Sequence, residues 1–265
     1  MTALPMKTLV LGDDASIAAD LAWLWINCHE WPGWRLELVT ADATTDHRVD
    51  SDADELRPWT PPHPRRRFTE SQLAEVVDLT CEMDPRLALS RPTDLLVVGR
   101  RGPGLAKRMH LGSTAEWLMA HPPAPMLIAR HGRQTHTAVL CADGSPHALA
   151  AATALCGLPW ISEVAVTIAS VDDGRVDVGH AVAAVADLVA ATGARVSRRD
   201  PRGEPTHELL ALLEDEQPDL VVLGTRGLTG IHRLRVGSTA GVIAHAVECS
   251  VLLACDEVVA DPVIG

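Results

Sequence analysis

"GTRGLTGIHRLRVGSTA", residues 224–240, concentrates four glycines and three arginines in seventeen positions without one acidic residue. The chain around it carries a formal charge of -12 over 265 residues. A near-copy, "GRRGPGLAKRMHLGSTA", stands at residues 99–115. Each stretch follows a short apolar run (LLVV before Gly99, LVVL before Gly224) and ends where a helical pattern begins. Strand, glycine loop and helix N-terminus in that order make an anion site, because free backbone N–H groups point outward and the helix dipole favours negative charge. Glycine permits positive φ and lets backbone approach a phosphate with no Cβ in the way. Ser238 and Thr239 offer helix caps and hydroxyl donors, and Arg226, Arg233 and Arg235 add positive charge. The pattern predicts a phosphate cradle. A plain strand-to-helix connection is the simpler reading, and the fixed spacing in two places argues against it.

Working outward, Asp94–Gly99 lines up with Asp219–Gly224, Gly112–Ala115 with Gly237–Ala240, and Pro125–Ala129 with Ser250–Ala254, all at one offset. TLVLGD, residues 8–13, resembles AVLCAD, residues 138–143, at an offset five residues longer. So long a period is a duplicated domain rather than a solenoid. The polar HGRQ at 131–134 divides the chain into units of 1–133 and 134–265. Apolar runs alternating with helical patterns predict an α/β fold, two open parallel sheets with helices on their faces. In the second copy strands are expected at 137–142, 163–170, 195–199, 219–224 and 250–254, and helices at 146–156, 178–192, 205–215 and 237–247. The first copy departs at 42–68, acidic and then proline-rich (PWTPPHPRRR), where regular helix is excluded. This segment is expected to replace a helix as a solvated loop, or else to dock a partner. Residues 69–90 read equally as one helix or as a strand and helix. The closing strands Met126–Ala129 and Val251–Ala254 are apolar and placed at sheet edges, which invites pairing between the halves.

Composition removes several functions. The acidic balance opposes general nucleic-acid binding. No apolar run approaches the ~20 residues that cross a bilayer, and the start is not a secretory signal. The six cysteines form no C-x-x-C pair and read as reduced, buried thiols of a cytoplasmic protein. Histidine spacing gives no dedicated metal site.

The glycine loop lacks G-x-x-x-x-G-K-[ST], and it lies after the fourth strand of its unit rather than the first, so it is neither a Walker loop nor the dinucleotide fingerprint. It matches G-x2-G-x9-G-[ST], the ATP-binding pattern of the universal stress protein family, at Gly224, Gly227, Gly237 and Ser238 and again at Gly99, Gly102, Gly112 and Ser113. Asp143-Gly144-Ser145 resembles the family's first-strand signature. The resemblance covers nearly the whole chain in tandem form. It implies two five-stranded, Rossmann-like sheets of the adenine nucleotide alpha hydrolase-like type, with ATP across the carboxyl ends of the strands and Mg²⁺, where present, carried on its phosphates. It assigns Asp143 and Asp13 to the adenine and ribose end, Ser170 and Thr40 to the adenine pocket, and Thr114, Arg226 and Thr239 to the phosphates with the glycines and serines. It also implies a homodimer and a regulatory protein partner. In the first copy Asp14-Ala15 follows Asp13 where the second has Gly144-Ser145, and a further carboxylate repels phosphate. Pro103 stiffens that loop, while Arg100, Arg101, Lys107 and Arg108 make it more basic. Both sites are expected to bind, the second more securely.

Three functions compete: an ATP-binding regulator, an enzyme of the same broad fold, and a scaffold without nucleotide. The S-G-G-x-D-S loop of ATP pyrophosphatase-type ligases is absent, as is a G-x-S-x-G elbow. Asp143, Ser145 and His147 crowd one helix start without a visible third partner. Slow hydrolysis assisted by Mg²⁺ and arginine is compatible with the loop; a dedicated ATPase needs a placed base, and none is visible.

Overall fold

The computed structural model describes residues 6–41, 72–100, 111–174, 178–226 and 236–256. The first half contains β1 (Lys7–Gly12), α1 (Ile17–Asn27), β2 (Trp31–Ala41), β3 (Leu73–Cys81), α2 (Pro85–Leu89), β4 (Leu95–Gly99), α3 (Ser113–Ala120) and β5 (Met126–Ala129). The second contains β6 (Thr137–Cys141), α4 (Pro146–Cys156), β7 (Ala165–Ala169), α5 (Gly179–Ala190), β8 (Arg195–Arg199), α6 (Pro205–Glu216), β9 (Leu220–Gly224), α7 (Ser238–Ala246) and β10 (Ser250–Ala254). The ten strands of the described residues join one sheet in the order β3-β2-β1-β4-β5-β10-β9-β6-β7-β8. Each half is parallel within itself and repeats the same order. Apolar β1, β4, β6 and β9 can be continuous because helices cover both faces of the sheet.

The ambiguous 69–90 contains a strand and a helix. Asp84 caps α2, its side chain accepting from Arg86 N, and Pro85 occupies the first turn, where a missing N–H does no harm. Five residues is too short for helical periodicity to register in sequence. The irregular segment at 42–68 lies outside the described residues.

β5 and β10, expected at sheet edges, lie at the centre of the sheet. They pair antiparallel, Val251 opposite Ile128 and Leu253 opposite Met126. Pairing satisfies backbone groups that an apolar edge would leave open, and so merges the two sheets.

A second seam joins the halves on one face. Trp25, His29 and Trp31 of the first half surround Trp160 of the second, and Trp34 packs on Trp31, with the His29 ring 4.2 Å from that of Trp160 and 4.5 Å from that of Trp25. Thr135 N donates to His29 Nε2 at 3.0 Å, so Nδ1 carries the proton and donates to Trp25 O at 2.7 Å. Burial pushes the His29 imidazole down to about 4, which keeps it neutral and both bonds intact at neutral pH. Burying an indole such as Trp25 contributes about 4–6 kcal/mol by area.

The register of the repeat differs from the sequence alignment by one residue at its start. Thr8 N donates to Asp94 Oδ2 (2.7 Å) as Thr137 N does to Asp219 Oδ2 (3.1 Å). Leu9 pairs with Leu95 as Ala138 pairs with Leu220. Thr8 is therefore the counterpart of Thr137, not of Ala138.

Candidate functional site

Strand order reverses between β1 and β4, and the chain opens a cleft of about 420 Å³ at their carboxyl ends. Such a switch point is where open α/β sheets hold ligands. Gly12, Asp14, Gly99, Gly112, Ser113 and Thr114 stand among its walls. Asp13 and Pro85 line it too.

The helix N-termini at the two loops are built alike. Gly112 N donates to Arg100 O at 2.9 Å and Gly237 N to Thr225 O at 2.7 Å, closing each loop upon itself. Gly112 and Gly237 are the N-caps, and neither end has a side-chain cap bond. Ser238 and Thr239, expected as caps, lie inside the first turn, with Ser113 and Thr114 placed alike. The first intrahelical bonds are Glu116 N to Gly112 O and Gly241 N to Gly237 O. The N–H groups of 113–115 and 238–240 are thus left without helical acceptors. By contrast Ser16 and Ser145 cap α1 and α4, donated to by Ala19 N and Ala148 N at 3.1 Å each.

Gly99 and Gly224 have another reason to be glycine than phosphate approach. A Cβ on Gly99 would lie 2.4 Å from Ala18 C, and one on Gly224 2.6 Å from His147 C. The backbone of α1 or α4 fills that space, so these glycines dock helices against strands. Cradling by backbone therefore falls to the N-terminal turns of α3 and α7. Gly102 and Gly227 lie outside the described residues.

The shifted register relocates a carboxylate. Ser16 N donates to Asp14 Oδ1 (3.1 Å) as Ser145 N does to Asp143 Oδ1 (3.0 Å). Asp13 N donates to Val39 O where Ala142 N donates to Ala169 O. Asp14, not Asp13, is the structural equivalent of Asp143; Asp13 is the extra carboxylate, buried and accepting from Ala15 N. Ala15 takes φ 57° where Gly144 has 77°.

Thr40 and Ser170 follow corresponding registers, since Val39 pairs with Gly12 and Ala169 with Cys141; Ser170 is buried. Arg226 O accepts from the Ser145 hydroxyl (3.4 Å), and Arg226 Nε is buried without a hydrogen-bond partner among the described residues. Thr239 Oγ1 meets Thr206 Oγ1 at 3.1 Å, a contact invisible from either motif. Cys141, at the end of β6, is pushed up to about 12 by burial, which keeps it a thiol rather than a nucleophile. Its burial matches expectation, whereas Cys28 is exposed.

The model of the universal stress protein family matches residues 63–130 and 169–254. The chain belongs to the universal stress protein family. It is 41% identical over 51 residues to a universal stress protein from Synechocystis, covering 19% of this chain and 33% of that one. A universal stress protein from Methanocaldococcus jannaschii is 33% identical over 61 residues, 23% of this chain and 36% of that one. The matched stretches span about a third of these relatives' length. The crystal structure of a universal stress protein from Archaeoglobus fulgidus aligns over 96% of this chain and 100% of its own, with a TM-score of 0.66 and 15% identity. That similarity carries the tandem α/β fold across the whole chain. Among the described residues no helix is long and apolar enough to cross a membrane.

Proposed function

We propose that this universal stress protein binds ATP in both halves, turns it over little or not at all, and acts through its loaded conformation. The observation that carries the reading is the first-half cleft, where the uncapped N-terminal turn of α3 opens onto the strand switch point. Its volume falls within the roughly 300–1,000 Å³ of small-molecule sites. The N–H groups of Ser113 and Thr114 and their hydroxyls would take phosphate oxygens, with Ser238, Thr239 and Arg226 doing so in the second half. The buried, unpartnered Nε of Arg226 fits an anion there. Asp14 and Asp143 would face the ribose, and Thr40 and Ser170 the base. Mg²⁺ would travel on the phosphates and supply only charge neutralisation.

The described walls carry donors and dipoles, and the two carboxylates among them, Asp13 and Asp14, are engaged by the backbone N–H groups of Ala15 and Ser16. Such a site stabilises bound ATP without favouring its transition state. We place the two units at 1–133 and 134–265, association of chains into a dimer, a protein partner that reads the loaded state, and work in the cytoplasm, in keeping with six cysteines that form no disulfide. The test is native mass spectrometry of purified protein, which should show adenine nucleotide retained, together with a steady-state assay giving turnover far below about 1 s⁻¹. Faster turnover would make the protein an enzyme; no retained or added nucleotide would make it a scaffold.

A further inference from the structure

α2 and α6 occupy equivalent places in the two halves, each before the fourth strand of its half, and differ in what they present. Both begin with an acidic N-cap and a proline, Asp84-Pro85 and Glu204-Pro205. Both bury the leucine four residues past that proline, Leu89 and Leu209, in the same hydrophobic core. In the second half the next residue, Thr206, touches Thr239 in the N-terminal turn of α7. Arg86 holds the corresponding position in the first half, and the corresponding target is Thr114, which lines the cleft with Pro85.

We propose that Arg86 is a phosphate-binding residue of the first half, which selects nucleoside di- and triphosphates over monophosphates there. The proposal rests on the nucleotide reading of the cleft and adds a ligand class to it. A long guanidinium side chain placed where a threonine already makes contact across the gap reaches beyond the helix terminus, to where phosphates distal to those on the α3 N–H groups would sit. In the structure Arg86 folds back onto Asp84, Nε donating to Oδ1 at 2.8 Å and Nη2 bonding Oδ2. Both partners are substantially exposed, and an ion pair so solvated holds weakly. A polyphosphate offers the same fork more charge and better-matched oxygens. Asp84 then parks the side chain while the cleft is empty. The second half has a neutral hydroxyl at this place, already engaged with Thr239, and so lacks the selection.

The experiment uses the full chain with Gly237→Glu, which closes the second site, and titrates ATP and AMP by calorimetry before and after Arg86→Ala and Arg86→Lys. Arg86→Ala should weaken ATP about tenfold, the effect of losing a hydrogen bond to a charged group, and leave AMP unchanged; Arg86→Lys should recover part of the loss. An equal loss for both nucleotides would reduce Arg86 to a packing role for α2 and overturn the proposal, as would unchanged ATP affinity. If the Gly237→Glu protein binds neither nucleotide, the nucleotide reading of the first cleft falls and this proposal with it. Unchanged melting temperatures of the Arg86 variants confirm that the fold is not the cause.

Discussion

The first and second halves share the contacts that dock helix on strand and close the glycine loop, and they differ in the residues and the helix around them. Gly99 and Gly224 admit a helix in the same way. Gly112 and Gly237 close the same loop, and Ser16 and Ser145 cap the same helix. Around these contacts Ala15 stands for Gly144, Asp13 for Ala142 and Arg86 for Thr206, and a five-residue α2 replaces a twelve-residue α6. Helix-to-strand docking tolerates no added atom, whereas a cleft wall facing solvent accepts change. The docking contacts are therefore held in common, while the wall residues and the helix before the fourth strand of each half differ. The shifted register makes Ser16 the counterpart of Ser145 and moves the extra carboxylate from Asp14 to Asp13, which still lines the first cleft.

Comparing the sites presupposes that the halves stay docked, and the largest expected effect limits the pH at which that holds. Because folding lowers the His29 pKa from 6.5 to about 4, the unfolded chain binds the proton more readily. The contribution is complete above about pH 6.5 and is lost as pH falls toward 4, amounting to about 3 kcal/mol. Denaturant titration across this window should show the loss, and His29→Gln should flatten it. Next come the paired Gly99→Ala and Gly224→Ala substitutions. Each sets a Cβ against helix backbone and should destabilise its half by about 1–3 kcal/mol, measured as melting temperature in the absence of nucleotide. If either variant were thermally neutral, that glycine would not be a docking residue. The smallest effect exchanges the turn residues. Gly144→Ala should cost about 1–2 kcal/mol for a side chain at positive φ, while Ala15→Gly should gain less, about 0.5 kcal/mol, because glycine also frees the unfolded chain.

The glycine loops and apolar strands made the duplicated α/β fold legible, since strand, loop and helix start carry their own chemistry. The register of the first strand was not legible. Asp13 and Asp14 are adjacent, either can be laid over Asp143, and it takes the Thr8–Asp94 bond, the strand pairing and the Ser16–Asp14 bond to decide between them. The seam was hidden for a different reason. His29, Thr135 and Trp160 are far apart in the chain and share no motif. The edge position given to β5 and β10 followed from treating each sheet alone, although their apolarity did point to pairing. Arg86 looks like an ordinary exposed arginine until α2 is set beside α6.

The central claim is that each half holds one adenine nucleotide at the N-terminal turn of α3 or α7. Its most direct test is the count of ATP bound per chain in wild type, Gly112→Glu, Gly237→Glu and the double variant, by native mass spectrometry at saturating ATP. A carboxylate at either N-cap opposes phosphate at the helix terminus. The account predicts two, one, one and none, and a double variant that still retained ATP at the wild-type ratio would contradict it.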